Sequence, residues 1–307
     1  MSFSREIKTE LCRMENKKEC CRRAECYGLW LFSKCFTVQE SATVTEHGDV
    51  ARRMVELAAE VAGVAPEMSF GVSRRRQRAY RVSLPDPGDR LALLEAFGRS
   101  GREASVRINR GLLEEEHCRK AFLRGAFCAC GSATDPQKEY HLEFAVPYKN
   151  LANGLYTLLG EVEAFSGGPS FAGRKGGYVV YWKDGAQIED VLTYLGATGA
   201  SMELMQVRMY KETLNDINRK ANFETANMDK TFSASARQTA AIAALSDAGE
   251  LGRLPEGLRE LAQLRLAYPD MSLRELAQRL GISRSGVNHR LARLVELGEK
   301  YLKGNEQ

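Results

Sequence analysis

Long apolar runs are missing from this sequence. Stretches such as Tyr27 to Phe32 and Thr239 to Leu245 fall far short of the roughly 20 residues that span a bilayer. This argues against a membrane-spanning helix and leads to the expectation of a soluble protein with no membrane partner. The first residues, from Met1 to Arg13, become charged within five positions and have no apolar segment of the kind that directs export, so a cytoplasmic location is expected. Cysteine is also sparse. Eight in 307 residues lack the density of a small secreted disulfide scaffold, which points to reduced thiols. Histidine is rarer still, and the four present (His47, His117, His141 and His289) form no recognisable motif. What is present is a globular balance, 44% hydrophobic and 27% charged, in a chain long enough for two or three domains. Disorder as the dominant state is excluded.

The net charge of +4 decides little until its distribution is considered. From Val72 to Arg110 ten basic residues face four acidic ones, a local excess of +6, and from Ser272 to Lys303 seven face three, an excess of +4. Polyanions are the partners such segments suit.

An internal repeat organises the first two thirds of the chain. Cys21-Arg-Arg-Ala24 through Gly28 aligns with Cys118-Arg-Lys-Ala121 through Gly125 at an offset of 97, with Cys, Arg, Ala and Gly in register. After each copy the same order of patterns follows: a β-prone stretch, a helix, two more β-prone stretches and a second helix. In the first copy these are 41–46, 49–61, 67–72, 79–84 and 89–97, and in the second 140–146, 151–165, 170–172, 178–183 and 186–195. A duplicated α+β unit with a pseudo-two-fold is therefore expected over residues 1–221, its repeats at about 21–100 and 118–200. Within it, 201–221 carries the apolar spacing of a helix. The polar tract 222–237 is expected as a linker, and 238–307 as a separate all-α domain.

In that last domain, residues 272–294 (SLRELAQRLGISRSGVNHRLARL) have helix-turn-helix spacing. Ser272 can cap a first helix whose inner face is Leu273, Leu276, Ala277 and Leu280, with Ala277 small enough to admit a crossing helix. Gly281 can end that helix in the left-handed conformation, and Ser283 can cap a second helix that buries Val287, Leu291 and Leu294. Arg284, Ser285, Asn288, His289 and Arg293 then lie on the exposed side or its flanks and, with Ser283 at the start of the helix, form a donor-rich reading face without acids suited to base edges and phosphates of double-stranded DNA. A helical hairpin with a merely solvated basic face is the alternative. Two caps, the Ala and the Gly at mutually correct spacing weigh against it.

The start of the second repeat, Phe122 to Ser132, resembles the LAGLIDADG motif of homing endonucleases. That resemblance implies two motif helices packed at a pseudo-two-fold axis, with a glycine at the close contact and an antiparallel sheet from each half facing DNA. In the enzymes an acidic residue just before the final Gly of each motif binds a divalent metal for in-line phosphodiester cleavage. Here that position is Cys130, its counterpart at the offset of 97 is Ser33, and no Asp or Glu occurs between Cys26 and Cys35. The expectation is a non-catalytic domain with no metal and no cofactor. The cysteines also lack the paired CxxC spacing of a zinc site and read as thiols packing helix against helix. The run Arg74, Arg75, Arg76 and Arg78 lies between two β-prone stretches, so it belongs at a hairpin tip. It reads either as a solvated loop or, in a saddle-shaped DNA-binding fold, as contacts to the phosphate backbone. The second repeat balances eight basic with eight acidic residues over 118–200, so DNA contact by this domain should be lopsided.

Three blocks, Ser2 to Leu11, the tract Asn218 to Thr231 (NRKANFETANMDKT) and the helix-turn-helix, together resemble the WhiA family of Gram-positive bacteria, and the resemblance covers essentially the whole chain. It implies a transcription regulator tied to cell division and, in sporulating relatives, to sporulation. The implied architecture is a degenerate LAGLIDADG domain followed by a helix-turn-helix domain resembling the DNA-reading region of sigma factors. One departure is Lys34, where the first motif usually has Gly. The resulting expectation is a monomeric, nucleoid-associated, sequence-specific DNA-binding regulator. In it the C-terminal domain specifies, and the N-terminal domain supplies backbone affinity or protein contacts. Two other readings remain open here: an active homing endonuclease, and an N-terminal module that binds RNA polymerase, a sigma factor or a division protein.

Overall fold

The computed structural model describes residues 2–72, 78–101, 103 and 105–302. The chain divides into two compact units, Met1–Glu212 and Thr213–Gln307.

In the first unit, α1 (Phe3–Cys12) precedes a repeat that runs α2 (Glu19–Leu31), β1 (Cys35–Phe36), β2 (Ser41–Thr45), α3 (Gly48–Ala62), β3 (Glu67–Val72), β4 (Arg78–Ser83) and α4 (Pro87–Ala96). The second repeat retraces it as α5 (Glu116–Cys130), β5 (Gly131–Ala133), β6 (Leu142–Val146), α6 (Lys149–Gly160), β7 (Ser170–Arg174), β8 (Gly177–Trp182) and α7 (Gly185–Leu195). Every element expected in either copy is present. The strands β1 and β5 are additional, and at two and three residues they are too short to show an alternating pattern.

Each repeat closes a four-stranded antiparallel sheet in the same order, β1-β2-β4-β3 and β5-β6-β8-β7. The alternation of β6 shows how the sequence sets the register: Leu142, Phe144 and Val146 are buried, whereas Glu143 and Ala145 face the other way. Phe144 pairs with Val180, and Leu142 with Trp182, so the buried rows line up across the strands. Helices α3 and α6 cover this inner side of their sheets.

Between the repeats lie α2 and α5, buried along most of their length in a single core with Trp30, Tyr27, Phe122 and Phe127 among its largest side chains. Two apolar rings, Tyr27 and Phe122, meet across the two helices with centroids 5.2 Å apart. The one buried acid at this contact, Glu25, is held by Arg53, whose Nε donates to Oε1 at 2.8 Å, with Arg124 Nη1 at 3.7 Å. A charge this far from water persists because it is paired.

The chain leaves the repeats through α8 (Thr198–Asp247). The tract 222–237 expected as a linker is helical throughout, inside this one 50-residue helix. The tract contains neither Gly nor Pro, so nothing in it breaks a helix, and its side chains are largely exposed, the apolar Phe223, Met228 and Phe232 included. The second unit takes residues 213–247 of α8 together with α9 (Glu256–Ala267), α10 (Leu273–Leu280) and α11 (Arg284–Leu302) around its own core of Ile242, Leu245, Leu261, Leu276, Val287 and Leu291. Among the described residues no helix is long and apolar enough to cross a membrane.

Candidate nucleic-acid interface

The helix pair α10–α11 follows from its local chemistry. Ser272 caps α10 with a full capping box: its Oγ accepts from Glu275 N at 3.3 Å, and Glu275 Oε2 accepts from Ser272 N at 2.8 Å. Gly281 ends the helix at φ 65°, a left-handed conformation that a side chain would resist. Ser283 Oγ accepts from Gly286 N at 3.0 Å and so serves the free amides at the start of α11. Of the inner faces expected, Leu276 and Ala277 on α10 and Val287, Leu291 and Leu294 on α11 are buried, with Leu273 and Leu280 partly buried against the same core.

One residue of this unit escapes sequence reasoning. Arg265, near the end of α9, is only 2% exposed and donates through Nη1 to Pro269 O at 3.1 Å and Met271 O at 2.6 Å, tying down the turn that leads into α10. Burial pushes its pKa down. A lone Arg in a helix carries no sequence signal of such a task, since only the fold brings the two carbonyls to it.

All six residues assigned to the reading face, Ser283, Arg284, Ser285, Asn288, His289 and Arg293, are exposed. They do not share one direction. Ser285 and His289 sit on the side of α11 opposite Val287, whereas Arg284 and Asn288 sit on a flank where Lys230, Ala234 and Gln238 of α8 line the same cleft, of about 320 Å³. Arg293 is engaged with Glu296, Nη1 to Oε2 at 2.7 Å, on the exposed surface. The first turn of α11 carries no acid, so its positive dipole end is open to an anion.

In the first unit, Arg74, Arg75 and Arg76 lie outside the described residues. Arg78 is exposed at the start of β4, and the flanking strands pair through Val72 and Arg78. Ser33 is buried between α2 and β1, and its Oγ donates to Cys35 O at 3.2 Å. Cys130 closes α5 half-buried, and loss of water contact pushes its thiol up to about 12. Neither position offers a carboxylate, and a neutral thiol and a hydroxyl do not hold magnesium or manganese, which take hard oxygen ligands. On the outer face of the second sheet the acid Glu143 is paired with Arg174, whose Nη1 lies at 3.1 Å, and His141 Nε2 lies at 3.1 Å from its other oxygen.

The structure also gathers residues whose spacing in the chain shows no relation. Cys20, Cys21, His117 and Cys118 converge where α2 and α5 begin, with their ligand atoms all within 4.8 Å of one another. The signal that could have found them is the offset of 97 itself, which maps Cys20 onto His117 and Cys21 onto Cys118.

Fold and site together define a protein class: a duplicated LAGLIDADG-type α+β unit in one chain with a helix-turn-helix unit. Two family models match, the WhiA LAGLIDADG-like domain over residues 119–214 and the WhiA C-terminal HTH domain over residues 217–298. The chain is 38% identical over 316 residues to a protein named probable cell division protein WhiA of Ruminiclostridium cellulolyticum, covering 100% of both. It is likewise 38% identical over 321 residues to that of Alkaliphilus oremlandii, covering 99% of each. Among solved structures, full-length DUF199/WhiA from Thermotoga maritima superposes with a TM-score of 0.60 at 22% identity, covering 98% of this chain and 99% of that one. The chain belongs to the WhiA family.

Proposed function

We propose that this protein is a sequence-specific, non-catalytic DNA-binding transcription regulator linked to cell division or sporulation. The observation that carries the reading is the exposed, acid-free face of the first half of α11, which follows the capped helix α10 across the turn at Gly281 and Ser283. Relatives named as probable cell division proteins support the link to division. Double-stranded DNA is the partner and the nucleoid of the cytoplasm the location. In this reading residues 238–307 specify the site, and residues 1–221 add backbone affinity through the basic segment 72–110 or contact RNA polymerase, a sigma factor or a division protein, the chain acting as a monomer. Residues 222–237 connect the two as helix.

The endonuclease alternative needs two carboxylates that hold metal at the ends of the motif helices. Ser33 and Cys130 stand there instead.

Genome-wide mapping of bound sites tests the reading. The intact protein should give discrete sites sharing a sequence, and an Arg284→Ala, Asn288→Ala, His289→Ala variant should lose most of them. A map unchanged by that triple substitution would move sequence recognition away from α11.

A further inference from the structure

We propose that Cys20, Cys21, His117 and Cys118 form a structural zinc site that clamps the beginnings of the two motif helices together.

Each repeat places two adjacent ligand-bearing residues at one point, Cys20-Cys21 in the first copy and His117-Cys118 in the second. The first pair occupies the second and third positions of α2, which begins at Glu19, and the other pair the same positions of α5, which begins at Glu116. The pseudo-two-fold that packs α2 on α5 therefore brings the two pairs face to face. The two pairs are 97 residues apart in sequence and adjacent in space, so the paired CxxC spacing of zinc ribbons is not needed.

Distances fit a tetrahedral ion. His117 Nδ1 lies 3.4 Å from Cys21 Sγ and 3.3 Å from Cys118 Sγ. With zinc–sulfur and zinc–nitrogen bonds of about 2.3 and 2.0 Å, the edge between a sulfur and a nitrogen of a tetrahedron is about 3.5 Å. The remaining separations, none above 4.8 Å, require shifts of no more than about 1 Å to close around one ion.

The chemistry of the donor set selects the metal. Three thiols and one imidazole, with no carboxylate, are soft and borderline ligands that suit zinc and disfavour magnesium, calcium and manganese. Four protein ligands close the coordination sphere and leave no open position, which is the signature of a structural rather than a catalytic site. The first turn of a helix favours thiolate over thiol, and here two such turns converge. A bound divalent ion acts in the same direction, because a coordinated thiol gives up its proton.

Access is present as well. Cys21 and Cys118 are buried, whereas Cys20 is exposed and borders with Cys118 a cleft of about 400 Å³ whose rim carries Glu19, Glu114 and Glu115 beside one basic residue, Arg23. Three acids against one base leave that rim net negative, which favours a cation there. The nearest comparable pair, Cys12 and Cys128 with sulfurs 3.9 Å apart, brings no third ligand among the described residues and is no such site.

The test uses the full-length protein purified without chelator. Elemental analysis should find one zinc per chain. Exchange for cobalt(II) should give the thiolate-to-cobalt charge-transfer band and the intense visible bands of a tetrahedral site. Cys21→Ser with Cys118→Ser should abolish both signals. Because that double variant can fail to fold, Cys20→Ser supplies a second reading: Cys20 is exposed, so the fold should survive by circular dichroism while zinc is lost to a competing chelator at least tenfold more readily. Cys35→Ser, outside the cluster, should retain the metal. Background zinc with no cobalt bands in the wild-type chain would overturn the proposal. So would bands that persist in the double variant, or a metal-free protein in which Cys21 and Cys118 form a disulfide.

Discussion

Gly28 and Gly125 each occupy the place where the other's helix has its backbone. A Cβ on Gly28 would stand 2.2 Å from Phe122 O, and a Cβ on Gly125 would stand 2.2 Å from Glu25 O. The two contacts are related by the repeat offset, so one pseudo-two-fold relationship fixes how closely α2 and α5 approach. Since the obstructing atoms are carbonyl oxygens rather than flexible side chains, only separation of the helices can relieve the overlap.

Gly28→Ala or Gly125→Ala should accordingly destabilise the first unit by about 1–3 kcal/mol, the usual cost of forcing a methyl group into a close-packed contact. The double variant should cost less than the sum, because a single separation of the helices relieves both overlaps. Urea unfolding of the full chain followed by far-ultraviolet circular dichroism measures all three. Additive losses would mean that the two contacts yield independently.

A second expectation concerns cleavage. The purified protein, incubated with its preferred duplex and magnesium or manganese, should leave the DNA intact, and Cys130→Ala should change nothing, because neither Ser33 nor Cys130 can supply a metal-binding carboxylate. Gel analysis of a supercoiled plasmid carrying the site decides it. Metal-dependent nicking abolished by Cys130→Ala would revive the endonuclease reading.

The parts of this architecture that are legible in the sequence are those with strong local signals. The repeat, the long strands and the capped helix pair declare themselves through periodicity, turn residues and caps. The strands β1 and β5 do not, since two or three residues carry no period. The tract 222–237 reads as a linker because an amphipathic stripe is the usual sign of a helix. Here Phe223, Met228 and Phe232 are too few among polar neighbours to draw that stripe, and only the absence of Gly and Pro hints at the helix. The flank shared by Asn288 and Gln238 is hidden too, because it depends on how α8 passes α11. There Gly298 meets Ala241 so closely that a Cβ would lie 2.1 Å from the Ala241 carbonyl oxygen.

His47 provides a pH signature. Burial, with Lys8 and Arg5 nearby, lowers its pKa from 6.5 to about 4, against the smaller opposing effects of Glu46 and Asp49. Above pH 6.5 the ring is neutral in both states. Between 6.5 and about 4 the unfolded chain takes up a proton that the folded chain refuses, so stability is lost as pH falls through this window. Thermal melts from pH 7.5 to 4 should show a steeper decline for the wild type than for His47→Gln. Parallel curves would remove His47 from the acid response.

Residues 213–307 should fold alone as a helical unit, since they have a separate core. Within that segment Ser272→Ala, which removes the capping box, should cost about 1 kcal/mol. Thermal unfolding of the segment with and without the substitution measures the loss. A segment lacking cooperative unfolding would show that this core depends on the rest of the chain.

Base reading and backbone attraction can be separated by salt. Asn288 is exposed at the cleft edge of α11, and asparagine is suited to bidentate pairing with adenine, an interaction worth about 1 to 3 kcal/mol of discrimination. Arg74, Arg75 and Arg76 belong to the basic segment and should meet phosphates, which carry no sequence information. Asn288→Ala should therefore weaken binding to the preferred site far more than to random duplex. Replacing the three arginines with Ala should weaken both alike and flatten the dependence of affinity on salt, by roughly 0.9 in log–log slope for each phosphate that the variant no longer neutralises. Titrations of both variants against specific and random duplexes at several salt concentrations give the answer. An unchanged slope in the triple variant would assign the arginine run to solvent. Equal losses on the two duplexes for Asn288→Ala would leave base reading to Ser285 and His289, the residues on the side of α11 opposite Val287.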